Sequence, residues 1–284
     1  MLHIEKTTIH AGLAQPVKLL HVTDSHLVYA DERDDYRKRL LAQERLITFH
    51  DENGGIERNL VEMIEYAEAN CDLLVHTGDL YDFITHANIE RSARFLAHPN
   101  FFFIVGNHEY SQYIGEAWED NTYKMNAYMR IRKGLGVDTF YASRQIGGLN
   151  IVGLDNTYYQ FEDWYLDRLR KEAEKGMPIL LMMHIPVFEE SLYSHIMDVR
   201  KESCAGLVGC DEERLMRYEE IQAIRMRPND ATKRLLEYIA GEKAIVALIA
   251  GHVHFSFESR LPCGKMQYVT GGGFDGIARE ITID

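Results

Sequence analysis

The 284-residue sequence holds only four cysteines, Cys71, Cys204, Cys210 and Cys263, and no pair in CxxC spacing. A thiolate zinc site and a disulfide framework are therefore not expected, and four free thiols in a reducing compartment are. Cys204 and Cys210 are the one pair close enough in sequence for a disulfide to be conceivable. The longest apolar runs, Phe101–Val105, Ile179–Met183 and Ala244–Ala250, fall far short of the ~20 residues a membrane-spanning helix needs. The start of the chain, Met1-Leu2-His3-Ile4-Glu5-Lys6, has no apolar stretch of the secretory kind. These absences lead to the expectation of a soluble, cytoplasmic protein with no membrane partner. Basic excess is missing too: 31 Lys and Arg face 44 Asp and Glu, a formal net charge of −13. Such a surface repels phosphate backbones, which weighs against a nucleic-acid partner but not against a small phosphorylated substrate held by metal ions.

What is present is an ordinary globular composition with no internal repeat. Short apolar runs of buried-strand type occur at Val17–Val22, Leu73–His76, Phe101–Val105, Ile151–Leu154, Ile179–Met183, Ile245–Ala250 and Met266–Val269. Between several of them lies helical period. Phe161, Trp164, Tyr165 and Leu169 share one face, and Gly176 and Pro178 end that helix. Further helices are expected over Ile56–Ala69 and over 231–240, the latter capped by Asn229 or Asp230. Alternating strands and helices imply an α/β fold. Leu2–Ile9 and Val17–Val22 flank Gly12 and Pro16, which suggests a hairpin and hence a mixed sheet. The whole of 1–284 is expected to be one domain. It would carry a densely charged insertion at about 28–52 and a polar one at 188–228, a candidate lid containing Arg200, Lys201, Arg214, Arg217, Arg225 and Arg227.

Five small motifs follow apolar runs: Asp24-Ser25-His26, Gly78-Asp79, Gly106-Asn107-His108-Glu109, His184 and Gly251-His252-Val253-His254. Ligands of α/β sheets bind beyond the carboxyl ends of strands, so five such ends can converge on one crevice. Singly the motifs are weak. Asp-x-His arises by chance about once in such a chain, and only Gly-Asn-His is rare, at roughly 0.04 matches. The ordered set carries the signal. In extended backbone, residues i and i+2 point the same way, so Asp24 and His26 can share an ion and His252 and His254 can face one cavity. Nitrogen and oxygen donors without thiolate suit Zn, Mn or Fe. His21, His76 and His98 read as core histidines, Asp82 and Asp155 as helix N-caps, and Gly271-Gly272-Gly273 as a tight turn beside the site.

The ordered set resembles the calcineurin-like metallophosphoesterase superfamily, with its pattern D-x-H, G-D, G-N-H-[DE], H and G-H-x-H, from Asp24 to His254. The resemblance implies two mixed β-sheets packed as a sandwich flanked by helices, a four-layer fold. It implies two divalent or mixed-valence ions (Mn, Fe or Zn). Asp24, His26, Asp79 and His254 would hold the first, and Asp79, Asn107, His184 and His252 the second. His108 would stay free of metal and act on the substrate as an acid. The implied function is hydrolysis of phosphoric esters by a metal-bridging hydroxide, with phosphodiesters slightly ahead of phosphomonoesters. A non-catalytic metal-binding scaffold and a nuclease are the alternatives on the same fold.

Overall fold

The computed structural model describes residues 1–51, 54–114 and 121–284. The first half runs β1 (His3–Ile9), β2 (Val17–Val22), α1 (Tyr36–Thr48), α2 (Gly55–Asn70), β3 (Leu73–His76), α3 (His86–Leu96), β4 (Phe101–Phe103), α4 (Asn107–Tyr110) and α5 (Asn121–Leu135). It continues through β5 (Tyr141–Ile146), β6 (Leu149–Leu154), α6 (Asp163–Ala173), β7 (Ile179–Met182), and α7 (Glu190–Ser194), which runs on into a π turn over His195–Val199. Then follow α8 (Glu212–Leu215), α9 (Glu220–Met226), α10 (Asp230–Gly241), β8 (Ile245–Ala250), β9 (Phe257–Arg260), β10 (Met266–Val269) and β11 (Ile277–Ile283).

The strands form two mixed sheets, one in the order β1-β11-β2-β3-β4 and one in the order β5-β6-β7-β8-β10-β9. Side-chain alternation along each strand divides the core into layers. Leu19, Leu73 and Val75 of the first sheet meet Leu180, Met182 and Ile249 of the second in a common core. Their neighbours Leu20, Val22 and Leu74 point the other way, onto Leu60 and Met63 of α2 and Ile131 of α5. On the far side, Val152, Leu154 and Leu181 pack on Leu169 of α6 and Leu235 and Ile239 of α10. The result is helix, sheet, sheet, helix, the expected four layers.

The first 22 residues do not form the expected hairpin. β11 lies between β1 and β2, parallel to β1 and antiparallel to β2. Its alternating Ile277-Ala278-Arg279-Glu280-Ile281-Thr282-Ile283 satisfies both ladders and sends Ile281 and Ile283 into the inter-sheet core. A turn at Gly12 and Pro16 would instead pair β1 directly with β2 and leave β11 no place between them. In the charged segment, 36–48 is helical, capped by Asp35, and Glu52 lies outside the described residues. The polar segment 188–228 is strongly anchored. Leu192, Tyr193, Ile196, Met197, Leu207, Val208, Cys210 and Leu215 are buried against the second sheet's outer face. Cys204 and Cys210 remain free thiols.

A chain ending at Gly276 lacks the strand that joins β1 to β2. Its urea unfolding curve is expected to lose the cooperative transition of the full chain, whereas a retained transition would restore the hairpin reading. Ile281→Ala, at a fully buried position, is expected to cost about 2–5 kcal/mol in the same measurement.

Candidate metal centre

β2 and β3 are parallel neighbours, and their pairing continues past the strand ends. Asp24 N donates to Gly78 O at 2.9 Å, His26 N to Asp79 O at 2.9 Å, and Leu27 N to Leu80 O at 2.9 Å. The two loops thus climb side by side and bring Asp24, His26 and Asp79 together. The backbone there is not the extended chain that the i, i+2 argument assumed. Asp24 (φ 51°), His26 (φ 48°), Asp79 (φ 55°), His252 (φ 72°) and His254 (φ 60°) all lie in the left-handed region. Such conformations cost on the order of 1 kcal/mol or more each and persist only where surroundings enforce them.

One enforcing group is Glu109, fully buried. Its carboxylate accepts from Asp79 N and Leu80 N at 2.8 Å each and from Gly106 N at 2.6 Å. Burial and the nearby Asp79 push its carboxyl up to about 7. A second is the close approach at Gly251, where any Cβ would run into Thr23 and the Asp24 carboxylate. That approach lets His252 N donate to Asp24 Oδ2 at 2.9 Å.

All seven predicted ligand residues meet at one edge. His184 Nε2 lies 3.2 Å from Asp79 Oδ2 and 3.1 Å from Asn107 Oδ1. Asn107 Oδ1 is also 3.1 Å from His252 Nδ1. His254 Nε2 is 3.3 Å from Asp24 Oδ1 and 3.1 Å from His26 Nε2. Asp24, His26 and His254 form one group whose donor atoms could hold a metal ion, and Asp24, Asp79 and His184 form another. In a third such group, His26, Asp82 and His108, the carboxylate already accepts from Arg45.

Asp82 is not the helix cap that its position suggested. The cap of α3 is Thr85. Asp82 Oδ1 lies 3.0 Å from His26 Nδ1 and 3.2 Å from His108 Nδ1, and Arg45 of α1 donates to both its oxygens at 2.6 and 3.0 Å. Burial opposes charge on Asp82, but its hydrogen bonds to His108, His26 and Arg45 hold its carboxyl well below the usual range. His108 Nδ1 also faces Asp82 O at 2.7 Å, which leaves its Nε2 toward the centre, 4.0 Å from Asp79 Oδ2. Burial likewise opposes charge on His108, but Asp79 and Asp82 outweigh it and raise the imidazole to about 10. His184, fixed through Nδ1 to Thr77 O at 2.8 Å, is raised to about 9 against burial by Asp79. His252, with burial unopposed by any direct carboxylate bond, falls to about 3.

The remaining sequence assignments divide. His21, held by Thr77 and Thr270, and His76, held by Ser25 and Gly78 N, are buried and satisfied as expected. His98 is not a core residue; it is partly exposed and paired with Glu68 at 2.6 Å. Asp155 caps no helix but accepts from Tyr110, Thr157 and Lys124. Gly273 N donates to Thr23 O at 2.8 Å, so the glycine turn does border the site. Glu109 and Arg45 were missed. The Gly-Asn-His-Glu motif contains Glu109, but Arg45 has no local signal, because it reaches Asp82 from 37 residues away.

No curated protein sequence matches the chain. Among solved structures, the chain is similar to a dimetal phosphatase from Danio rerio, with 14% identity and a TM-score of 0.47, over 92% of this chain and 89% of that one. It is also similar to the NAD nucleotidase of Haemophilus influenzae, with 12% identity and a TM-score of 0.46, over 94% and 47%. A 5'-nucleotidase from Candida albicans gives 13% identity and a TM-score of 0.43, over 97% and 48%. The chain spans about half the length of these two nucleotidases. The family described as Calcineurin-like phosphoesterase matches residues 17–256. That match takes in every motif from Asp24 to His254 on the sheet edge, and by it the chain belongs to the calcineurin-like phosphoesterase family.

Proposed function

We propose that the seven converging residues hold two divalent ions and that the enzyme hydrolyses small phosphoric esters. Asp24, His26, Asp79 and His254 would hold one ion, and Asp79, Asn107, His184 and His252 the other, with Asp79 shared. One observation carries this reading. Asp24 Oδ1 is buried and has no hydrogen-bond partner among the described residues, while three imidazole nitrogens and a second carboxylate stand beside it. A buried carboxylate oxygen that no hydrogen bond satisfies costs free energy unless a cation meets it. The donors are nitrogen and oxygen only, which fits Mn, Fe or Zn.

Two ions in such a site polarise water and neutralise phosphoryl charge. The protein's own groups fix how that chemistry is presented. The Asp82 carboxylate, clamped by Arg45, holds His26 and His108 by Nδ1, and the Thr77 carbonyl does the same for His184. Their Nε2 atoms therefore face inward, because a partner held on one ring nitrogen fixes the direction of the other. His108, held at Nδ1 by Asp82, presents its Nε2 to the centre, from where it can give a proton to the leaving oxygen. Phosphodiesters are the slightly favoured substrates in this proposal. The four free thiols suit a reducing compartment such as the cytoplasm.

Protein loaded with Mn²⁺ is expected to hydrolyse p-nitrophenyl phosphate or bis(p-nitrophenyl) phosphate, and the faster of the two decides the ester preference. A chelator should abolish turnover and added Mn²⁺ should restore it. Asp79→Asn should lose at least one ion by elemental analysis. Fewer than one ion per chain in the loaded wild type would overturn the dinuclear reading.

His108→Ala is expected to keep its metal content and lose about 10²–10⁴-fold in rate. The loss should be larger for an alkyl leaving group than for nitrophenolate. Equal losses would reduce His108 to an electrostatic role, and loss of metal would remove the assignment.

A further inference from the structure

The polar segment 188–228 carries several arginines, and the structure separates them. Arg214 pairs with Glu190 and Glu213 at 3.0 Å, Arg217 with Asp198 at 2.6 Å, and Arg227 with Glu212 at 2.5 Å. Each is a surface ion pair with its guanidinium occupied. Arg200 differs. Its nearest carboxylate is Glu202, with Nε to oxygen at 3.8 Å, and among the described residues its guanidinium donates no hydrogen bond. The guanidinium carbon lies over the Phe255 ring, 4.5 Å from its centre. A stacked guanidinium keeps its N–H edges free for an anion.

Arg200 also stands at a built cavity. It lines a space of about 260 Å³ together with its neighbour Glu202 and with Ile196, Ala205, Val253 and Phe255, and the same space is lined by His252 and His254. The cavity therefore opens directly on two of the converging histidines. Its wall is set by local geometry. The π turn His195–Val199 ends at Arg200, whose backbone N–H donates to His195 O at 2.9 Å. π turns occur often at functional sites. His195 packs on Phe255 and Phe257 at 5.1 and 5.3 Å, which ties the turn to the loop after His254. On the opposite wall Gly206 has φ +59°, and a Cβ there would stand 3.0 Å from His252 Nε2. The 204–206 loop thus lies against His252 itself.

We infer that this cavity is a second anion subsite. Arg200 would bind a phosphate or carboxylate on the alcohol portion of the substrate, while the ester phosphate sits at the metal centre. The apolar wall of Ile196, Ala205, Val253 and Phe255 would cover the short carbon skeleton between the two anions. The substrate class is then a compact phosphoric ester with a further acidic group. The ester must be small, because a space of about 260 Å³ is below the usual ligand-pocket range. The inference rests on the metal-centre reading above.

The test uses non-hydrolysable probes, so that binding and turnover are read separately. Calorimetric titration of Mn²⁺-loaded wild type with 1,3-propanebisphosphonate and with propylphosphonate should show the bisphosphonate bound about tenfold or more tightly, the worth of one charge-assisted contact. Arg200→Ala should bring the two affinities within about twofold by weakening only the bisphosphonate, and Arg200→Lys should keep part of the preference. The metal content of both variants should match wild type. Equal affinities in the wild type, or equal weakening of both probes in Arg200→Ala, would overturn the subsite. Failure of the metal-centre reading looks different, with no metal bound and no turnover of p-nitrophenyl phosphate in any of the proteins.

Discussion

Two buried carboxylates at the ends of adjacent parallel strands govern this site. Asp24 and Asp79 have almost no exposure, and no lysine or arginine pairs with either among the described residues. Asp82, buried beside them, does have such a partner in Arg45. Uncompensated buried charge costs several kcal/mol per ion. Without metal, the compensation falls to imidazoles: His26, His108 and His184 all rise above their ordinary values. The proposed ions would take over that compensation.

The cost of gathering these groups is visible in the backbone. Five of the seven residues sit at positive φ. A strand end alone would not hold them there. The continued β2–β3 ladder, the buried Glu109 carboxylate and the close contact at Gly251 do so together. The four-layer core beneath supplies the rigidity, since both sheets are buried on both faces and their strand ends cannot drift independently.

Much of this was legible in the sequence, for definite reasons. Strands buried on both faces are continuous apolar runs, so Val17–Val22 and Ile245–Ala250 could be read to the residue. The helix over 230–241 announced itself through Asn229, which does accept from Thr232 N. The ligand residues were legible because each follows such a strand. Long-range pairing was not. Nothing local says that β11 inserts between β1 and β2, or that Arg45 crosses to Asp82. The left-handed loops were also hidden, because Asp and His there follow from tertiary enforcement and not from propensity. In 188–228 the arginines outweighed the apolar residues to the eye, although Leu192, Ile196 and Leu207 anchor it to the core.

The central claim is that Asp79 is shared between two ions, with Asp24, His26 and His254 on one side and Asn107, His184 and His252 on the other. Anomalous diffraction from crystals soaked in Mn²⁺ tests it directly. The account predicts two anomalous peaks flanking the Asp79 carboxylate, one against each set. A single peak, or a peak lodged among His26, Asp82 and His108 in place of Arg45's pairing with Asp82, would contradict it.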